Sequence, residues 1–308
     1  MSPQEDSMIK LLARIGAPVL VVLALAGCGS SSKTSSTAAP PTTSTAASGA
    51  IPAIEAQVPA AIKSKGTLTV ATEAQYAPNE FLAPDGHTII GMDPDLVKAL
   101  AETMGLKTQF TNAQFEAIIP GIQAGRYDLG ASSFTDTKER QKKVDFVTYY
   151  NAGISFYAKS GANPGVESVK DLCGKTVAVE KGTVEQEEAE KQSKTCTKEG
   201  KSAVTVLSFP GQNAVTLAIA SGRAALGMAD SPVVAYQLKQ NKGQFQLVGK
   251  SYGFAPYGLA VPKNSGLSKP LLAALKELMA SGKYKAILEK WGIQEGAITN
   301  PTINGATS

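Results

Sequence analysis

Histidine is almost missing from this chain: one of the 308 residues, His87, is a histidine, and it stands in the turn-like stretch APDGHTI. A histidine-based metal site, or Ser-His-Asp catalysis, would have to rest on that one loop residue. Neither is expected, and no metal ligand, cofactor or catalytic residue is singled out in the sequence. Basic residues form no block interleaved with aromatics, and the net charge is only +4. That leaves nucleic-acid binding without its electrostatic footprint. An apolar run of spanning length is also wanting. The N-terminal run over residues 15–27 has 13 mostly apolar residues, short of the roughly 20 that cross a bilayer.

What is present at the N-terminus fits export. Lys10 and Arg14 precede the apolar run, which ends LALAGC at Cys28, the layout of a signal peptide. Leu25-Ala26-Gly27-Cys28 resembles the lipobox of bacterial lipoproteins, in which the cysteine takes a lipid and becomes the new N-terminus. Glu5 and Asp6 do not suit a positive leader, so translation is expected to start at Met8. Residues 1–27 read as a lipoprotein signal peptide, and their loss removes two basic and two acidic side chains, leaving the charge at +4. Residues 28–62 read as a lipidated, disordered tether, because the stretch GSSSKTSSTAAPPTTSTAASG has nothing with which to bury a core. A lipid at one end of a loose tether would hold the folded part on the extracytoplasmic face of the cell membrane. Cys173 and Cys196 are expected to pair, since export leads to an oxidising compartment.

Beyond the tether, strand and helix patterns alternate. GTLTVATEA alternates and is β-branched, a strand, and a Pro/Asn/Gly-rich loop follows it. MDPDLVKALAETMG carries Leu96, Val97, Leu100, Ala101 and Met104 at helical spacing and is closed by Gly105. KTQFTNA, FEAIIPGIQAG and YDLGASSF read as strand, helix, strand. A second set runs from KTVAVEKG to PVVAYQLKQN, and an amphipathic helix over SKPLLAALKELMASGKYKAILEKWG closes the chain. Such alternation predicts a mostly parallel sheet covered by helices on both faces. Two α/β lobes with a cleft between them accommodate it, with AGISFYAK and YGFAPYGLAV as the crossing strands. The expected division is lobe 1 over 63–155, lobe 2 over 156–252, a return to lobe 1 over 253–295, and a C-terminal tail over 296–308.

In this arrangement the chain resembles the solute-binding proteins of bacterial ABC importers, in the polar amino-acid-binding group (family 3). The marks are LTVATEAQYAPNEF, GMDPDLVKALAETMG, FEAIIPGIQAGRYDLGASSFTDTKERQKKVDF, GKTVAVEKGT, SGRAALGMADSPVVAY and YKAILEKWG. Each is weak alone; six in order cover nearly all of residues 66–293. The resemblance implies a two-lobed periplasmic-binding-protein-like fold of type II, a ligand cleft, no enzymatic activity, and a monomer that hands an amino acid to ABC permease subunits in the membrane.

The same resemblance assigns the site. Arg140 would grip the ligand's α-carboxylate, a planar group that a guanidinium fits with two bonds, helped by backbone N–H groups around Thr135 at a helix start. The alternative is capping of that helix by Asp136 with Glu139, and both can hold together. Asp230 would pair with the α-ammonium, its alternative being an ordinary N-cap before Pro232. Tyr76 and Phe115 would wall the ligand's stem. Ser132, Ser133 and Thr135 would hydrogen-bond it, and Thr183 would complete the carboxylate site. Glu73 and Glu180 would face its distal end, favouring a polar or basic side chain and repelling an acidic one unless Lys181 swings in. Two departures from the family pattern stand out: Asn79 replaces an aromatic, which is expected to widen the pocket, and Ala225 replaces an acid. Competing readings are a secreted dehydratase-like enzyme on the same fold, with Glu180 as general acid, and a ligand-sensing subunit of a signalling system.

Overall fold

The computed structural model describes residues 49–306; the expected signal peptide, Cys28 and most of the expected tether lie outside them. The tether expected to reach residue 62 is folded where it is described. Helices α1 (Pro52–Glu55) and α2 (Ala60–Lys65) run directly into strand β1 (Thr67–Thr72). The reason is apolar: Ile54 and Val58 are buried and Ile51 and Ile62 pack against the same core. The Ile51 N–H also donates to the Thr103 carbonyl at 3.0 Å, tying the segment down.

The loop after β1 contains a small antiparallel sheet of β2 (Gln75–Tyr76), β3 (Glu80–Leu82) and β4 (Ile89–Ile90). There follow α3 (Met92–Thr103), β5 (Lys107–Asn112), α4 (Phe115–Gln123), β6 (Leu129–Gly130), the four-residue α5 (Lys138–Gln141) and the long β7 (Val144–Lys159). The second half is β8 (Thr176–Glu180), α6 (Val184–Lys198), β9 (Thr205–Phe209), α7 (Gln212–Ala220), β10 (Leu226–Asp230) and α8 (Ser231–Gln240). Strand β11 (Phe245–Pro262) leads back to α9 (Ser268–Ala280) and α10 (Lys283–Trp291). The closing amphipathic helix is thus two helices. Gly282 breaks it with φ at +80°, a conformation glycine adopts without steric cost.

Eight strands hydrogen-bond in the order β5-β1-β6-β11-β7-β10-β8-β9. β1 is parallel to β5 and β6, and β8 is parallel to β9 and β10. The joint is the antiparallel pair β7–β11, in register from Phe245 opposite Lys159 to Pro262 opposite Val144. Its register shifts three times between Val248 and Gly258, where the pair passes from one lobe to the other. The crossing strands are therefore longer than the expected stretches.

Buried side chains confirm helices on both faces of each lobe. Lobe 1 packs α3, α9 and α10 on one face, through Leu96, Leu100, Leu271 and Leu288, and α4 on the other, through Ile118 and Ile122. Lobe 2 packs α6 on one face through Ala189 and Cys196, and α7 and α8 on the other through Val215, Ile219 and Val233. Cys173 and Cys196 are joined as a disulfide, Cα to Cα 5.6 Å. The C-terminal segment lies along β7, with bridges from Ala297 to Tyr150 and from Ile303 to Val147.

Candidate functional site

β1, β6, β8 and β10 all end at the junction of the lobes, the position where open α/β sheets hold their ligands. All ten residues singled out from the sequence line one cleft there: Glu73, Tyr76, Phe115, Ser132, Ser133, Thr135, Arg140, Glu180, Thr183 and Asp230. Val184, Glu80 and Glu185 line it too. The two acids were not singled out. Glu185 is hidden in the acidic run EQEEAE, where only its place in the first turn of α6 sets it apart. Glu80 sits in a three-residue strand too short to show alternation.

Arg140 spans the lobes. Its Nη1 donates to the Thr135 carbonyl at 2.9 Å and its Nη2 to the Gly182 carbonyl at 3.0 Å, the latter across the cleft. The guanidinium has five N–H groups, so three remain for a ligand. The rings of Phe115 and Phe134 stack 4.5 Å apart, with the guanidinium carbon 5.4 Å from the first and 5.7 Å from the second. Burial lowers Arg140 from its usual value, and the charges of Glu187, Glu185 and Asp230 oppose that shift.

The helix start behind Arg140 is capped differently from the sequence expectation. Thr137 is the N-cap, its hydroxyl accepting from the Arg140 N–H at 3.2 Å. Asp136 is one residue too early; its carboxylate accepts from Gln141 Nε2 at 2.8 Å instead. Asp230 occupies the N-cap position of α8 without making a side-chain cap bond. Its Oδ2 accepts from the Tyr76 hydroxyl at 2.9 Å, and the same hydroxyl accepts from the Asp230 N–H at 3.0 Å. Tyr76 therefore ties lobe 1 to lobe 2 rather than serving only as a wall. Thr183 is the N-cap of α6, accepting from the Gln186 N–H and donating to the Glu180 carbonyl at 2.8 Å. Asn79, expected to widen the pocket, is fully buried outside its lining, where its Nδ2 donates to the Ser133 hydroxyl at 2.9 Å. Lys181 does not swing in; it pairs with Glu116 at 3.3 Å on the half-exposed rim.

Charge is the dominant property. Glu73, Glu80, Glu180, Glu185 and Asp230 surround one guanidinium. Burial, which disfavours an isolated anion, is the largest cause of every shift among them. It pushes Glu73 up to about 7 against the opposing bonds from Gln75. It raises Glu185 to about 8, with Asp230 adding repulsion, and Asp230 to about 6 against the bond from the Tyr76 hydroxyl. Glu180 and Glu80 go well above the usual carboxylate range, the first with the further repulsion of Glu73, the second with that of Asp93. Glu180 Oε2 and Glu185 Oε1 are buried without a hydrogen-bond partner. A buried acceptor left unpaired costs on the order of 1–3 kcal/mol, so both atoms are poised to accept from a donor in the cleft. Among the described residues no group of His, Cys, Asp and Glu is arranged to hold a metal ion.

Comparison with known proteins agrees with this geometry. Residues 68–294 match the bacterial extracellular solute-binding proteins, family 3. The arginine-binding protein ArgT of Corynebacterium glutamicum is 37% identical over 255 residues, covering 82% of this chain and 83% of that protein. Among solved structures, an ancestral arginine-binding protein bound to arginine superposes with a TM-score of 0.67 at 35% identity, covering 73% of this chain and 98% of that one. An ancestral arginine-binding protein bound to glutamine gives 0.68, again at 35% identity, over 74% and 98%.

Proposed function

The chain belongs to the bacterial extracellular solute-binding proteins of family 3, and from that premise we propose that it captures a basic amino acid, L-arginine foremost, and delivers it to an ABC importer. The observation that carries this reading is the set of four carboxyl side chains, Glu73, Glu180, Glu185 and Asp230, that share the cleft with one guanidinium. A zwitterion whose side chain carries a second cation complements that balance. Its α-carboxylate would meet the free N–H groups of Arg140 and its α-ammonium Asp230, while its side-chain cation would face Glu73 and Glu180. A neutral amide such as glutamine satisfies the hydrogen bonds but not the charge, and an acidic side chain would be repelled. The names of the relatives support the class: arginine and, for one structure, glutamine.

The proposal includes the anchor and the partner. A lipid on Cys28 would hold the protein on the outer face of the cell membrane, within reach of the permease, as a monomer that binds without turning its ligand over. The division into signal peptide, tether and two lobes belongs to the same reading, with residues 49–62 assigned to the folded part rather than to the tether.

Calorimetric titration of residues 49–308 tests the function. L-Arginine is expected to bind at least tenfold more tightly than L-glutamine, with no detectable heat from L-glutamate. Tighter binding of glutamate than arginine would defeat the charge argument. Loss of metabolic palmitate labelling in Cys28→Ser checks the anchor.

A further inference from the structure

In the lobe 1 wall of the cleft, two acids stand together. Glu80 on β3 and Asp93 in the first turn of α3 are fully buried. None of the salt bridges among the described residues reaches either of them, or the neighbouring Glu73. They converge on one side chain: the Ser133 hydroxyl lies 3.2 Å from Glu80 Oε2 and 3.5 Å from Asp93 Oδ2. Asp93 also accepts from the Ser133 N–H at 2.8 Å and from the Tyr149 hydroxyl at 2.7 Å. Glu80 Oε1 accepts from the Ser132 hydroxyl at 3.2 Å. Ser133 has φ at +50°, a conformation that residues with a Cβ seldom adopt unless their surroundings hold them in it. Its bond to Asp93 is such a hold.

Two buried carboxyl groups that share a hydroxyl and have no cation cannot both ionise at neutral pH, so one keeps its proton. Asp93 has two strong donors stabilising its anion; Glu80 has only hydroxyls, and carries the proton. We propose that Glu80 and Asp93 act as one positioning unit, a carboxylic acid against a carboxylate, that holds the Ser132 and Ser133 hydroxyl protons inward and turns their remaining lone pairs to the cleft.

The donor count closes. Ser132 Oγ accepts from the Glu73 N–H at 2.9 Å and donates to Glu80. Ser133 Oγ accepts from Asn79 Nδ2 and donates to the acid pair. A hydroxyl has one proton and two lone pairs, so each keeps one lone pair and no proton. Such a wall accepts from ammonium or guanidinium N–H groups and offers nothing to a ligand oxygen. That last step rests on the amino-acid reading of the cleft; the proton on the pair does not.

Two variants and two readouts test the unit. Glu80→Gln keeps an acceptor for Ser132 and a donor for Asp93, whereas Glu80→Ala keeps neither. In L-arginine titrations, Glu80→Ala is expected to bind at least tenfold more weakly than Glu80→Gln. Equal loss in both variants would overturn the proposal. Without any ligand, at about pH 7.5, the infrared difference between wild type and Glu80→Gln should contain the carbonyl band of a protonated carboxylic acid. Its absence from the wild type would also overturn it. A wild type that binds no amino acid but shows that band would refute the functional reading and leave the pair standing.

Discussion

At the scale of single residues, Arg140 and the unpaired glutamate oxygens carry the account. On the proposed reading, Arg140→Ala would remove charge-assisted bonds to the ligand carboxylate and leave that carboxylate unpaired, a loss on the order of 3 kcal/mol. That is a drop of about 150-fold in affinity, readable by calorimetry; retention within threefold would remove Arg140 from the site. Glu180→Gln should weaken arginine at least tenfold while changing glutamine less than threefold, because an amide still accepts a hydrogen bond but no longer answers a cation. Equal losses for both ligands would assign Glu180 a structural role. Most of these side chains were legible in the sequence because they lie in stretches with recognisable company, such as SSFTDTKER and GMADSP. Glu80 and Glu185 were not. Their importance comes from desolvation and from neighbours distant in the chain, Asp93 and Asp230, and no local pattern records that.

At the scale of elements, glycines and the disulfide set the geometry. Gly91, the N-cap of α3, has φ at +136°, and a Cβ there would lie 2.1 Å from the Asn79 carbonyl oxygen. Asn79 and Glu80 are held by this approach, so Gly91→Ala should destabilise by at least about 2 kcal/mol, seen as a lower urea midpoint. An unchanged midpoint would mean that the loop yields freely. Replacing both Cys173 and Cys196 by serine should cost about 3 kcal/mol on chain-entropy grounds, or roughly 6–12 °C in Tm for a chain of this size. Strands and long helices were readable from periodicity. The two helices before β1 were not, because Ile51, Ile54, Val58 and Ile62 are spaced through an Ala- and Pro-containing stretch that continues the Ala/Pro composition of the tether. The split of α9 from α10 was signalled by Gly282, inside an otherwise continuous apolar pattern.

At the scale of the molecule, buried acids couple protons to stability and to binding. Burial pushes Glu73 up to about 7, Glu185 to about 8, and Asp93 and Asp230 to about 6 in the folded chain, against about 4 when unfolded. The folded state therefore holds more protons between about pH 4.5 and 8, so stability should fall as pH rises through that window. A urea midpoint that climbs from pH 5 to 8 would contradict this. A cationic ligand favours the ionised carboxylates, so binding should release protons and tighten as pH rises from about 6 to 8. Titrations in phosphate and Tris would then differ in apparent enthalpy, and identical enthalpies would argue against it. On the proposed reading, a ligand bridging Arg140 in lobe 1 and Asp230 in lobe 2 would bind a closed form better than an open one.

The most direct measurement is a thermal-shift screen of residues 49–308 against the twenty amino acids. A ligand at 100 times its dissociation constant adds about 2.7 kcal/mol, which for this size is roughly 5–10 °C. The largest shift is expected for L-arginine, followed by lysine or glutamine, and none for aspartate or glutamate. A dominant shift with an acidic amino acid, or none with any of the twenty, would contradict the proposed function.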